Sequence, residues 1–221
     1  MNRSQLCAAI DTLAVKRPIF HSEKDFQHQL ALQLAGMGYE VRLERPFNGA
    51  GGAMHIDIIA SLNAQKVGFE LKYVHRTSGP VVGLDRYGEQ FDVVSNWGSN
   101  LTRYDVWWDY ARLAGLVAAG ALNKGYAILL TNAPALWQLP GPIMTRNFPL
   151  EDQAVPVSPM DWVWNNHTEA QKQSTAPGRL TPVHLPIIPR PLHWEEYTKE
   201  NNDPSPIIGT LGHYRYLIIE T

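Results

Sequence analysis

Residues 54–74 read MHIDIIASLNAQKVGFELKYV. It contains an isoleucine-rich run at 54–61 and an alternating run at 67–74, with a short segment at 62–65 between them. Two such runs joined by a short turn are typical of antiparallel strands. The stretch therefore predicts a β-hairpin.

The polar residues of both runs alternate with apolar ones, and successive strand side chains point to opposite faces. Glu70 and Lys72 therefore share one face of the second run, and His55 and Asp57 share one face of the first. In a hairpin, Asp57, Glu70 and Lys72 can converge. Paired carboxylates repel each other unless a cation neutralises them, and their oxygens suit Mg²⁺ or Mn²⁺. An ammonium beside them can orient or help deprotonate a water and can offset phosphate charge.

The same alternation has a plainer interpretation. Asp57, Glu70 and Lys72 can equally be solvated residues on the outer face of a half-buried hairpin, which is a common arrangement in antiparallel sheets. The three positions alone do not decide between a metal site and a solvated surface.

A helix is predicted at 22–37, directly before the hairpin region. Ser22 is suited to cap it. Its apolar residues recur at helical spacing and form one stripe: Phe26, Leu30, Leu34 and Met37. Glu23 falls within this stripe, where a carboxylate would lose its hydration unless it were paired or bound to a metal. Alternatively, the helix dipole favours an acid here, or the side chain reaches solvent.

The neighbouring segments indicate a mixed α/β architecture. Further strands are expected at 39–44 and 126–130, and helices at 84–94 and 102–122. The order helix, three strands, helices, strand is typical of a central mixed β-sheet flanked by helices.

The composition changes after residue 132. Thirteen of the sixteen prolines lie between 134 and 206, with four of the seven tryptophans. Proline disfavours regular helices and central strands, and the aromatic residues argue against a disordered tail. We therefore expect one domain over 1–221, divided into a core at 22–132, an irregular proline-rich elaboration at 133–212 and a closing strand at 213–220.

At this point the chain resembles the PD-(D/E)XK nuclease superfamily, which includes many restriction endonucleases and repair nucleases. The resemblance covers residues 22–130 and consists of a helix glutamate, then Asp57, twelve residues, Glu70, one residue and Lys72. Ile56 stands where the name-giving proline of that family would be. The resemblance implies a restriction-endonuclease-like core.

The resemblance also implies a site and a function. Asp57, Glu70, the Leu71 carbonyl and Glu23 would hold Mg²⁺ or Mn²⁺, and Lys72 would assist the attacking water. The implied activity is metal-dependent hydrolysis of phosphodiester bonds, expected in a DNA endonuclease of restriction, defence or repair. A catalytically silent member that binds nucleic acid or protein is the alternative, and an RNA-directed nuclease would use the same chemistry.

Contacts with nucleic acid outside the site are less well specified. Arg76, Arg86 and Arg103 follow the site and could meet phosphates, although arginines on solvated surfaces are the ordinary case. Asp109 and Arg112 are spaced for an i,i+3 ion pair, which is the simpler explanation of both.

Trp162 and Trp164 share one face of an extended segment and could stack on bases, although packing under the proline-rich segment is the simpler explanation. The formal net charge of −2 gives a nucleic-acid partner no support. Cys7 is the only cysteine, so no disulfide is expected and a reducing, cytoplasmic setting is the default. Asp11 interrupts the first apolar run, which argues against a signal peptide, and no membrane span is expected. A homodimer stays open.

Overall fold

The predicted hairpin is present in the computed structural model of the protein, which describes residues 1–49, 52–96, 98–198 and 206–221. The strands are β1 (Glu40–Gly49), β2 (Gly52–Leu62), β3 (Gln65–Val74), β4 (Val81–Leu84), β5 (Gln90–Val93), β6 (Lys124–Thr131), β7 (Trp194–Glu196) and β8 (Arg215–Glu220). The helices are α1 (Arg3–Lys16), α2 (Glu23–Gly36), α3 (Ser99–Ala118), α4 (Glu169–Thr175) and α5 (Pro206–Leu211).

Six strands form one mixed sheet in the order β1-β2-β3-β6-β8-β7. β2 and β3 pair antiparallel, β3 and β6 pair parallel, and β8 runs antiparallel to β6. Asn63 and Ala64 form the turn between β2 and β3 with φ of 50° and 63°, and a two-residue turn that matches strand twist needs such positive values. The prediction of a central mixed sheet flanked by helices is confirmed.

Helices cover both faces of this sheet. On one face, α1 and α2 bury Leu6, Ile10, Phe26 and Leu30 against strand residues such as Phe69. Ser22 caps α2 by accepting a hydrogen bond from the Asp25 amide. The opposite face packs against α3. Glu70 and Lys72 alternate with Phe69, so their side chains lie on the α3 face.

The helix predicted at 84–94 is wrong, because β4 and β5 form an antiparallel hairpin there. The Asp85 carboxylate accepts hydrogen bonds from the amides of Tyr87 and Glu89, at 2.8 and 2.9 Å, and Gly88 adopts φ 81°. These features stabilise a tight turn in the middle of the expected helix.

Other boundaries differ less. The helix predicted at 102–122 is α3, which starts earlier and ends at Ala118, since Gly120 leaves the helix with φ 72°. Helices α1, α4 and α5 and strand β7 were not predicted from the sequence. Within the described residues, none of the helices has the length and apolar character needed to cross a membrane.

The proline-rich segment packs on the outer side of α3. Three aromatic residues of α3 each donate a hydrogen bond to its backbone carbonyls: Tyr104 to Thr181 at 3.0 Å, Trp107 to Pro149 at 2.8 Å, and Tyr110 to Ile187 at 3.0 Å. Trp162 is buried in the same cluster and stacks on Trp164 with ring centroids 5.1 Å apart, as the packing explanation predicts. The segment therefore fixes α3 from behind while α3 faces the sheet.

Candidate active site where the hairpin opens

The pairing between β2 and β3 stops just before the predicted site. Its register ends at Ile58 and Phe69, while β3 continues to pair with β6. Side chains replace the missing ladder. The Asp57 carboxylate accepts a hydrogen bond from the Leu71 amide at 2.8 Å, and the Gln27 side chain donates to the Asp57 carbonyl at 2.6 Å. The Leu71 amide, a backbone donor that the opening leaves without a strand partner, is thereby satisfied.

Glu23 reaches the same opening from the start of α2. Its Oε2 accepts a hydrogen bond from the Tyr73 amide at 3.0 Å, and its Oε1 lies 3.9 Å from Lys72 Nζ. Its side chain therefore points towards the sheet, as its position in the apolar stripe predicts. Burial raises the pKa of the Glu23 carboxyl, partly offset by Lys72.

Lys72 is held mainly by a residue of α3. Its Nζ lies 3.0 Å from Asp109 Oδ2, closer than it lies to Glu23, and the Asp109 side chain is 9% exposed. Burial lowers the pKa of Lys72, but the Asp109 and Glu23 carboxylates outweigh it and raise that pKa overall. The ammonium therefore stays protonated at neutral pH.

Glu70 is paired with a second residue of α3. Its side chain is 4% exposed and contacts the Arg112 guanidinium, which also donates a hydrogen bond to the His55 carbonyl at 2.7 Å. Arg112 Nη1 lies 3.7 Å from Asp109 Oδ1. Burial, together with the charge of Asp109, raises the pKa of Glu70 even though Arg112 acts in the opposite direction.

The cluster formed by these six side chains is short of positive charge. Among the described residues, the cluster contains four acids and two bases, which is an excess of two acids: Glu23, Asp57, Glu70 and Asp109 with Lys72 and Arg112. Burial also raises the pKa of Asp109, with Lys72 and Arg112 opposing it. An excess of acids of this kind, with Glu70 and Asp109 buried, is relieved by protons or by a cation.

The donor chemistry of the cluster fits Mg²⁺ or Mn²⁺, because these ions prefer carboxylate and carbonyl oxygens and carry the two missing charges. Within the ranges that the structure describes, however, no three His, Cys, Asp or Glu side chains are grouped as a ready metal site. Asp57 and Glu23 each accept from a backbone amide, and Glu70 is engaged by Arg112. The proposed Leu71 carbonyl ligand stays a prediction.

The arginines predicted to meet phosphates have different surroundings. Arg76 is exposed and lies two residues after the end of β3. Arg86 is half-buried, with its guanidinium 5.0 Å from the Tyr87 ring centre. Arg103 is 1% exposed and donates to the carbonyls of Ala135 and Leu139, among others. Because its guanidinium is enclosed, the prediction that Arg103 meets a phosphate is corrected to a structural role.

The sequence interpretation missed the part that α3 contributes. The i,i+3 ion pair of Asp109 and Arg112 is present, but it is turned inward onto Glu70 and Lys72. The available signal was the position of Asp109 between the core residues Trp107 and Tyr110. A carboxylate inside a buried helical stretch marks a paired or functional residue, as it does for Glu23.

A cleft of about 330 Å³ opens beside Glu23 and Lys72. Its far wall includes Asp105 of α3 and Arg179 of the proline-rich segment, which pair through two contacts of 2.6 and 3.1 Å. The proline-rich segment thus contributes a side chain to the space next to the cluster.

Comparison with known proteins adds no further evidence, since no protein-family model, no curated protein and no solved structure matches this chain. The residues and their geometry are therefore the basis for the function proposed below.

Proposed function

We propose that the protein is a metal-dependent nuclease that hydrolyses phosphodiester bonds, with DNA as the expected substrate and endonucleolytic cleavage in restriction, defence or repair as its expected role. One observation carries the proposal. The Lys72 ammonium lies 3.9 Å from Glu23 of α2 and 3.0 Å from Asp109 of α3 where the hairpin opens. Asp57 and Glu70 of the hairpin interact with it electrostatically, in a cluster that has two more acids than bases.

The chain's own residues would divide the chemistry. Asp57, Glu70 and the Leu71 carbonyl, with Glu23 beside them, would hold Mg²⁺ or Mn²⁺, which would supply Lewis acidity and a water acidified for attack on phosphorus. Lys72 would orient that water and offset phosphate charge. Because its pKa is raised, Lys72 would act as a cationic donor and not as a base.

The cleft next to Lys72 supports a substrate path. Glu23 and Lys72 line one side, and the exposed Arg76 follows β3 at its end. A phosphate backbone entering this cleft would meet the Lys72 ammonium in its lining. The expected partner is therefore nucleic acid, although the protein as a whole carries a net charge of −2.

The direct test is incubation with plasmid, linear and single-stranded DNA and with RNA, in Mg²⁺ or Mn²⁺ and in excess EDTA. We expect cleavage only with the ion, and a loss of about 10²-fold or more in Asp57→Ala, Glu70→Ala and Lys72→Ala. The matched control is Glu40→Ala, which removes an exposed carboxylate paired with Arg42. Cleavage that persists in EDTA, or at the wild-type rate in the three site variants, would place the chemistry elsewhere.

One observation favours a second candidate, a catalytically silent member that binds nucleic acid or protein. Glu70 is already paired with Arg112, and Asp57 accepts from the Leu71 amide, so the cluster has internal partners without an ion. Binding of DNA or RNA that is indifferent to Mn²⁺, with no cleavage of any of the four substrates, would favour this candidate.

A further inference from the structure

Arg112 occupies a particular position in the cluster. A single guanidinium nitrogen, Nη2, contacts Glu70 and also donates to the His55 carbonyl at 2.7 Å. Its other terminal nitrogen lies 3.7 Å from Asp109 Oδ1. The guanidinium therefore occupies one oxygen of the Glu70 carboxylate, Oε1, while a second carboxylate stands next to it.

We infer that Arg112 is a counter-cation that a divalent ion can replace. In the metal-free protein Arg112 pairs with Glu70, and when the ion binds Glu70, Arg112 pairs with Asp109 instead. The inference rests on the proposed function and adds a regulatory step to the same site. Glu70 and Asp109 both need positive charge, and Arg112 is close enough to serve either of them.

The packing of α3 does not depend on the contact between Arg112 and Glu70. Trp107 and Tyr110 tie the helix to the carbonyls of Pro149 and Ile187. The Arg112 side chain is 25% exposed, so it lies at the margin of the core and not within it. Releasing Glu70 therefore leaves the helix anchored.

A divalent ion has an electrostatic advantage over the guanidinium. It carries twice the charge and contacts carboxylate oxygens directly, whereas the charge of arginine is spread over a planar group. In the metal-free protein, Arg112 would therefore compensate one of the three acids that Lys72 does not. It would also weaken ion binding, because it competes with the ion for Glu70.

This competition gives Arg112→Met two effects of opposite direction. The metal-free variant should melt at a lower temperature than the wild type, because Glu70 loses its partner. Its affinity for Mn²⁺ should rise about tenfold or more, which corresponds to about 1.4 kcal/mol. The rise in melting temperature on adding Mn²⁺ should accordingly exceed that of the wild type. A residue with only a structural role would lower stability without improving affinity.

The experiment is titration calorimetry of the full chain with Mn²⁺ alone, with thermal melts in the presence and absence of the ion. The matched control is Arg42→Met, which removes an exposed guanidinium paired with Glu40 and should leave the affinity unchanged. Arg112→Lys serves if the Met variant folds poorly. It keeps the charge but loses the planar fork, and its Mn²⁺ affinity should lie between those of the wild type and the Met variant.

The outcomes separate the two proposals. Mn²⁺ binding to Arg112→Met that equals or falls below wild-type binding would overturn the role of Arg112, and the proposed function would stand if the wild type binds Mn²⁺ and cleaves. Absence of Mn²⁺ binding in both proteins would overturn both proposals.

Discussion

The two halves of α3 each carry a charged group into the protein, but they meet different partners. In the first half, Arg103 donates to the carbonyls of Ala135 and Leu139 and pairs with Glu151 at 3.4 Å. In the second half, Arg112 contacts Glu70 beside Asp109. One arginine is therefore held largely by backbone of the proline-rich segment, and the other by carboxylates of the sheet and of its own helix.

The difference separates a fixed guanidinium from an exchangeable one. The carbonyls around Arg103 are neutral and are fixed in a folded segment. They lose their hydrogen-bond donor if Arg103 is removed. Carboxylates are good ligands for other cations, so the carboxylate partners of Arg112 can also bind a metal ion. An arginine at one end of α3 thus stabilises the fold, whereas the arginine at the other end contacts the proposed metal site.

The largest expected effect tests the structural half. Arg103→Met should lower the free energy of unfolding by about 3–5 kcal/mol, because buried carbonyls and Glu151 lose a charged partner. Urea denaturation followed by tryptophan fluorescence would measure the loss. Adding Mn²⁺ should not restore the lost stability. Arg42→Met is the exposed control, with an expected change within about 0.5 kcal/mol. A loss below about 1 kcal/mol in Arg103→Met would remove the distinction between the two halves.

A second prediction tests how closely the other half of α3 must approach the sheet. A Cβ added at Gly125 on β6 would lie 2.8 Å from Leu113 Cβ, an atom that moves only with the helix. Gly125→Ala should therefore cost about 1–3 kcal/mol in unfolding free energy. It should also weaken Mn²⁺ binding, because Asp109 and Arg112 shift with α3 relative to Glu70 and Lys72.

The control for this prediction lies on α3 itself. A Cβ at Gly115 would meet no atom within 4 Å, and alanine favours a helix over glycine. Gly115→Ala should leave Mn²⁺ binding unchanged and stabilise the protein by up to about 1 kcal/mol. If Gly125→Ala left Mn²⁺ binding and stability as Gly115→Ala does, the site would not require α3 to lie so close to the sheet.

The parts of the fold that were predicted correctly are those with local signals. Alternation in β2 and β3, with the short turn between them, predicted the hairpin, and the apolar stripe with Ser22 predicted α2. The same reasoning failed at 84–94, because the Asp85 side chain fixes a turn through hydrogen bonds that apolar spacing does not report. Local pattern predicts an element only where no side chain competes with the backbone.

The candidate site divides in a similar way. Asp57, Glu70, Lys72 and Glu23 were identified because strand alternation and helical position fix the direction of each side chain. Asp109 and Arg112 were not, because an i,i+3 pair has the same spacing on a solvated face and on a buried one. Which face of α3 lies on the sheet depends on long-range packing at Gly68 and Gly125, where an added Cβ would meet Leu113 at 3.0 and 2.8 Å.

The smallest expected effect tests the contribution of α2. Glu23→Gln keeps an oxygen that can accept from the Tyr73 amide but removes one of the four acids of the cluster. Burial raises the pKa of Glu23, but its side chain is 43% exposed and solvent screens the effect. Its loss should therefore leave the metal-free protein equally stable or slightly more stable at neutral pH. Lys72 would retain Asp109 at 3.0 Å. Mn²⁺ affinity in calorimetry should fall by a few-fold, because one carboxylate no longer attracts the ion, whereas Glu40→Gln at the exposed edge of β1 should change neither quantity. Unchanged Mn²⁺ affinity together with a marked loss of metal-free stability would instead make Glu23 a structural residue of the helix end.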